Sequence, residues 1–184
     1  MAGIILVTGG CRSGKSRFAL EKADFAGGKK IFLATCPHID PEMDERIQKH
    51  RQERIDWSTI EEELELSHIF DSIPLGSVVL LDCLSLWINN LMFDANKKDL
   101  YLTQDRIKDI CSSLGEHILG SKAKNVFIVT NEVGMGLVPE NKEGRLYRDL
   151  LGICNQTFAS IANEVYFLVS GIPVRIKSSR DNGL

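Results

Sequence analysis

Gly9-Gly10-Cys11-Arg12-Ser13-Gly14-Lys15-Ser16 fits the spacing G-x-x-x-x-G-K-[ST] and directly follows the apolar run Ile4-Ile5-Leu6-Val7-Thr8. A buried strand that ends on glycines and turns into a helix near Lys15 is the context in which such a loop binds phosphate. The glycines let the backbone curl so that successive N–H groups face phosphate oxygens. The helix start adds partial positive charge, and the Lys15 ammonium reaches the outer phosphates. Ser16 offers a hydroxyl to Mg²⁺, which keeps several waters and takes few protein ligands. The stretch Gly9 to Ser16 therefore predicts a nucleoside triphosphate, ATP or GTP, bound with Mg²⁺.

Outward from this loop, apolar runs bounded by turn residues alternate with segments of helical period, the pattern of an α/β domain with a mostly parallel sheet. Strands are expected at Ile4–Thr8, Lys30–Ala34, Val78–Leu81, Val126–Thr130 and Val165–Val169, with a short last strand at Val174–Lys177 after the turn Gly171-Ile172-Pro173. Helices are expected from Lys15 to Ala26, from Asp40-Pro41-Glu42 to about Arg54, from Leu84 to Phe93 and from Thr103 to Leu119. No repeat or linker divides the chain, so residues 1–184 read as one domain with a frayed tail at 178–184.

The 184 residues are 43% hydrophobic and 26% charged, as in ordinary globular proteins, which excludes a disordered or fibrous chain. With 22 Lys and Arg against 25 Asp and Glu, the net charge of −3 lacks the footprint of a nucleic-acid binder. Apolar runs fall far short of the ~18 residues that suggest a membrane span. The start carries no basic leader, so a cytoplasmic protein is expected. The five cysteines form no C-x-x-C pair, and burial as small apolar side chains is the simplest reading. Cys11 and Cys36, at strand-to-loop ends, are the exceptions to watch.

Asp82 follows four apolar residues at the end of a strand, where a carboxylate can hold the metal's water shell. Capping of the helix that starts near Leu84 is the alternative role. Asn96-Lys97-Lys98-Asp99 has the N-K-x-D spacing of guanine readers, but it follows Met92-Phe93-Asp94 in a polar connection rather than a buried strand, so it reads as an exposed linker with no guanine role. Between Asp44 and Arg54, Arg46, His50 and Arg54 recur every fourth residue with Arg51 beside them. Two readings stand: a solvated charged face, or guanidinium groups that bind phosphate around an imidazole able to attack it. Thr130 to Pro139 leaves the end of a buried strand, so it should face the same crevice as the phosphate loop. Arg145 and Arg148, early in the next helix, could clamp a phosphate or a substrate carboxylate or amide.

Taken together, Thr8–Ser16, Arg46-Ile47-Gln48-Lys49-His50-Arg51, Thr130–Pro139, Gly144-Arg145 with Arg148-Asp149, Asn155-Gln156 and Val169–Pro173 before Ile176-Lys177 resemble one family. It is the bifunctional adenosylcobinamide kinase / adenosylcobinamide-phosphate guanylyltransferase family of cobalamin biosynthesis. The likeness runs from Ile4 to Lys177 in the family's order. It implies a RecA-like P-loop NTPase fold, a homotrimer and a corrinoid substrate, adenosylcobinamide. The implied chemistry is phosphorylation of a hydroxyl, then GMP transfer from GTP through a guanylylated histidine. The resemblance puts that histidine at His50, with Lys15 as its catalytic partner. It puts nucleotide contacts at Gly9, Gly10, Cys11, Arg12, Ser13, Gly14, Lys15, Ser16, Ala34, Thr35, Cys36, Arg51, Gln52, Glu53, Arg54, Glu62 and Asp82. Ser16 and Asp82 are the expected Mg²⁺ residues. Lys49 stands where some members carry a second His. A plain small-molecule kinase and a nucleotide-dependent binding or remodelling module are the competing readings.

Overall fold

The computed structural model describes residues 1–37 and 56–178. Among these residues, seven strands form one sheet in the order β3-β2-β4-β5-β1-β6-β7. They are β1 (Gly3–Gly9), β2 (Lys30–Ala34), β3 (Ser58–Glu61), β4 (Val78–Asp82), β5 (Asn125–Val129), β6 (Glu164–Val169) and β7 (Ile172–Lys177). The first six are parallel, and β7 alone runs antiparallel, folded back on β6. The helices are α1 (Lys15–Asp24), α2 (Leu66–Asp71), α3 (Leu84–Lys97), α4 (Gln104–Gly120) and α5 (Lys142–Ile161).

The continuous apolar runs follow from burial of the central strands on both faces. Successive side chains alternate sides, so Ile4, Leu6, Val79, Leu81, Val126 and Ile128 pack with Leu84, Trp87, Leu114, Leu150 and Phe158 from α3, α4 and α5. Ile5, Val7, Val78, Leu80, Phe127 and Val129 point the other way, against Ala19 and Ala23 of α1. Small residues on α1 let that helix lie close to the sheet and carry the phosphate loop in with it. No helix among the described residues is long and apolar enough to cross a membrane.

Several elements differ from what the sequence predicts. The helix after β4 does not stop at Phe93 but runs to Lys97, because Met92 and Ala95 continue its buried face. Lys98 Nζ also pairs with Asp94 Oδ2 at 2.7 Å, one turn back. Asn96-Lys97-Lys98-Asp99 is thus a helix end rather than a linker. The first helix ends at Asp24, two residues short of Ala26. The last strand starts at Ile172, with the turn at Ser170-Gly171, where both residues have positive φ. β3 and α2 were not expected: β3 is a mostly exposed edge strand, and α2 is a short helix. The helix expected from Asp40 to Arg54 lies outside the described residues.

Candidate active site

The loop between β1 and α1 is built around Lys15, a residue only 7% exposed. Its Nζ donates to the Gly10 carbonyl oxygen at 2.6 Å and to Ser13 Oγ at 3.5 Å. Burial lowers its pKa below 10.5, while Cys83, Asp82 and Cys11 pull it back up. These causes place Asp82, at the end of β4, within electrostatic reach of Lys15. Ser16 is half-buried beside it at the start of α1, and Cys11 and Arg12 are exposed on the rim.

The loop is braced from the β6–β7 side. The Gly171 amide donates to the Ser13 carbonyl oxygen at 3.0 Å. A Cβ on Gly9 would lie 2.5 Å from the Leu168 carbonyl oxygen, so only glycine lets β6 approach this closely. Gly14, the N-cap of α1, has φ 91°, a left-handed turn that glycine adopts without cost.

Asp82 is not the N-cap residue of α3. The N-cap is Cys83, which makes no side-chain cap bond, and its thiol sits 2.9 Å from Ser85 Oγ. Burial first, and then the Asp82 charge, pushes the Cys83 thiol up to about 11, so it stays protonated at neutral pH. The Asp82–Cys83 segment is fixed by Thr35, whose buried Oγ1 donates to the Cys83 carbonyl at 2.8 Å and accepts from the Cys83 amide at 2.9 Å. The Thr35 amide donates to Asp82 O, and its carbonyl accepts from Asn90 Nδ2 at 2.8 Å. All of Thr35's polar groups are therefore engaged in the scaffold around Asp82. Ala34 and Cys36 flank it, half-buried, at the end of β2.

Glu62 follows β3. Its Oε1 accepts from the amides of Leu64 at 2.9 Å and Glu65 at 3.0 Å, which holds its pKa below 4.5. One oxygen thus orders the approach to α2, and the carboxylate stays ionised at the same strand-end face as Ala34, whose carbonyl accepts the Glu62 amide.

The Thr130–Pro139 loop does meet the phosphate loop. The Thr130 amide donates to Val7 O and the Glu132 amide to Gly9 O, each at 3.0 Å. Thr130 Oγ1 bonds Asn155 Oδ1 at 2.7 Å, and Asn155 Nδ2 donates to Asn131 O at 3.0 Å. Both arginines bond this loop, and Arg148 Nη1 is buried with no hydrogen-bond partner among the described residues. Arg145 Nη1 donates to the carbonyls of Pro139 and Glu140, and Arg148 Nη2 donates to Gly134 O at 2.6 Å. The bonds to loop carbonyls account for Arg145 and Arg148 in the first turns of α5, where the helix dipole disfavours them. Glu132, which the sequence reading did not single out, is the ionisable residue nearest Gly9 on this loop. Its signal was the sheet order, with β5 between β1 and β4.

The structure brings together Gly9 to Ser16, Asp82, and the loop at Glu132, on the carboxyl ends of β1, β4 and β5. His50, Arg51, Gln52, Glu53 and Arg54 lie outside the described residues. A hydroxyl on Ser16 and a carboxylate on Asp82 are hard oxygen donors of the kind Mg²⁺ selects.

Comparison with known proteins follows the same outline. The family model described as "Cobinamide kinase / cobinamide phosphate guanyltransferase" matches residues 5–176. The bifunctional adenosylcobalamin biosynthesis protein CobU of Escherichia coli (strain K12) is 41% identical over 182 residues, covering 95% of this chain and 99% of that protein. The protein of the same name from Salmonella typhimurium is 40% identical over 183 residues, with the same coverage of 95% and 99%. CobP of Pseudomonas aeruginosa is 34% identical over 174 residues, covering 94% and 96%. Among solved structures, a prototypical ATPase from the type III secretion system of pathogenic bacteria superposes with a TM-score of 0.53 at 11% identity, over 91% of this chain and 51% of that one. The ATP synthase subunit NeqB from Nanoarcheaum equitans gives 0.53 at 14% identity, over 91% and 45%. The chain thus spans about half of each of these two structures, and they show the fold alone.

Proposed function

The chain belongs to the cobinamide kinase / cobinamide phosphate guanyltransferase family, and from that premise we propose that it carries out two transfers on one phosphate loop. In the first, a nucleoside triphosphate phosphorylates the hydroxyl of adenosylcobinamide. In the second, an imidazole nitrogen of His50 attacks the α-phosphorus of GTP, the bond to the β-phosphate breaks, and pyrophosphate leaves. The phosphate of adenosylcobinamide phosphate then attacks the same phosphorus, the P–N bond breaks, and adenosylcobinamide-GDP is released with His50 restored.

The observation that carries this reading is the buried Lys15 within a braced phosphate loop that also senses Asp82. In both transfers negative charge builds on the oxygens around phosphorus, so preorganised N–H groups and a desolvated ammonium stabilise the transition state more than the ground state. A histidine intermediate divides one difficult displacement into two easier ones. Arg51 and Arg54 fit phosphate contacts, with Gln52 and Glu53 between them in the nucleotide-binding segment that the family resemblance implies. Glu62 and Ala34 to Cys36 are its other contacts, on the β2–β3 side.

Ser16 and Asp82 are the residues that would hold Mg²⁺, which when bound neutralises phosphate charge. The protein acts as a cytoplasmic homotrimer on a corrinoid substrate. Incubation with adenosylcobinamide, ATP and GTP should yield adenosylcobinamide-GDP and pyrophosphate. Formation of adenosylcobinamide phosphate alone would favour the plain kinase. Nucleotide turnover that ignores the corrinoid would favour a remodelling module.

A further inference from the structure

We propose that Glu132 is the general base of the phosphorylation step, taking the proton from the substrate hydroxyl as its oxygen attacks the γ-phosphorus. The inference rests on the two-transfer reading above and assigns a role that reading leaves open. The three nucleophiles it invokes differ in one respect. The imidazole nitrogen attacks through a lone pair, and a phosphate monoester oxygen is already anionic. Only the alcohol carries a proton that must leave, so only the kinase step calls for a base.

The sheet order decides where that base can stand. β5 lies between β1, which ends in the phosphate loop, and β4, which ends in Asp82. The chain leaving β5 therefore emerges between the phosphate-binding amides and the expected metal residue. Glu132 is the first ionisable residue on it, three positions past the strand, and its amide is bonded to Gly9 O at 3.0 Å. Asp82, the other carboxylate at this edge, lies within electrostatic reach of Lys15, where it partly opposes the lowering by burial, and fits the metal's water shell.

The local backbone is arranged around this side chain. Glu132 Oε1 accepts the Gly134 amide at 2.6 Å, and the half-buried carboxylate keeps Oε2 without a hydrogen-bond partner among the described residues. A Cβ at Gly134 would stand 2.8 Å from Oε1, so the glycine leaves the room that the carboxylate occupies. Arg148 holds Gly134 from its carbonyl side at 2.6 Å. One oxygen is thus pinned and the other is left to act, which is how an acid–base group is oriented.

The step balances without further reactants. The hydroxyl oxygen bonds to the γ-phosphorus, the bond from that phosphorus to the bridging oxygen breaks, and the nucleoside diphosphate leaves. The hydroxyl proton passes to Glu132 Oε2 and then to solvent. The test compares wild type with Glu132→Gln, which keeps an oxygen for the Gly134 amide. Phosphorylation of adenosylcobinamide should lose about 10²–10⁴-fold in kcat, as general-base removal does, with KM within about twofold. Covalent labelling of the same variant by α-labelled GTP should proceed as in wild type. Retained phosphorylation would overturn the assignment. Loss of phosphorylation and labelling together would overturn it too, making Glu132 a nucleotide or structural residue. A wild-type protein that phosphorylates no corrinoid would instead refute the two-transfer reading itself.

Discussion

The amide of Gly171 donates to the carbonyl oxygen of Ser13 at 3.0 Å, so the β6–β7 turn supports the phosphate loop from outside. That turn belongs to Ser170-Gly171-Ile172-Pro173, far from the loop in sequence. The loop's shape is therefore set by the tertiary fold as well as by its own glycines.

Gly9 and Gly10 should differ sharply in their response to alanine. A Cβ at Gly9 meets the Leu168 carbonyl at 2.5 Å and Ser13 Oγ at 2.9 Å, whereas a Cβ at Gly10 meets nothing within 4 Å. Gly9→Ala should cost at least ~2 kcal/mol of stability, in the range of overpacked or strained sites, and Gly10→Ala about 0.5 kcal/mol or less. Thermal melts read this as a drop of at least ~4 °C against roughly 1–2 °C for a chain of this size. Equal melting shifts would show that β6 does not press on the loop.

Lys15→Met should abolish phosphorylation and guanylylation alike, each by about 10²-fold or more, because one charge serves both transfers. Its burial also gives a pH signature. The folded pKa lies below 10.5, so between the two values the unfolded chain binds the extra proton and stability rises with pH. The wild-type-minus-variant stability difference should therefore climb as pH is raised toward 10.5. A difference flat across that interval would mean that Lys15 is not desolvated.

Glu62 gives the opposite case. Its folded pKa lies below 4.5 through the amides of Glu65 and Leu64, so its contribution is present above pH 4.5 and lost as pH falls through the folded value. Glu62→Gln should destabilise by about 0.5 kcal/mol at pH 7, typical of a carboxylate at a helix start. In denaturant titrations the difference should vanish in acid. A deficit that persists there would assign the effect to packing instead.

Arg148 is a positioning residue, acting through Gly134. Arg148→Ala should lower kcat for phosphorylation about tenfold, the loss of one charged hydrogen bond of ~1.5 kcal/mol, with KM for the nucleotide within about twofold. A higher nucleotide KM at unchanged kcat would place the guanidinium on the nucleotide.

Much of this site was legible because its signals are local. The phosphate loop announces itself by spacing, and the central strands by runs such as Val78-Val79-Leu80-Leu81, which two-sided burial demands. Asp82 was placed by the strand before it. The parts that escaped depend on contacts distant in sequence. β3 carries Ser58-Thr59-Ile60-Glu61 on an exposed edge, where no apolar pattern is required. α2 had a signal in Leu66, Ile69 and Phe70, spaced as one helical face, but it is too short to stand out. Arg145 and Arg148 show their charge in the sequence, but not the loop carbonyls that lie opposite them. Gly134 stands in the sequence as one glycine of a loop, and what it makes room for is the Glu132 carboxylate beside it.

The central claim is that GMP passes through His50, and one measurement addresses it most directly. Protein incubated with α-labelled GTP and Mg²⁺, then denatured, should retain an acid-labile label on wild type and none on a folded His50→Ala variant. Undiminished labelling of that variant would contradict the account.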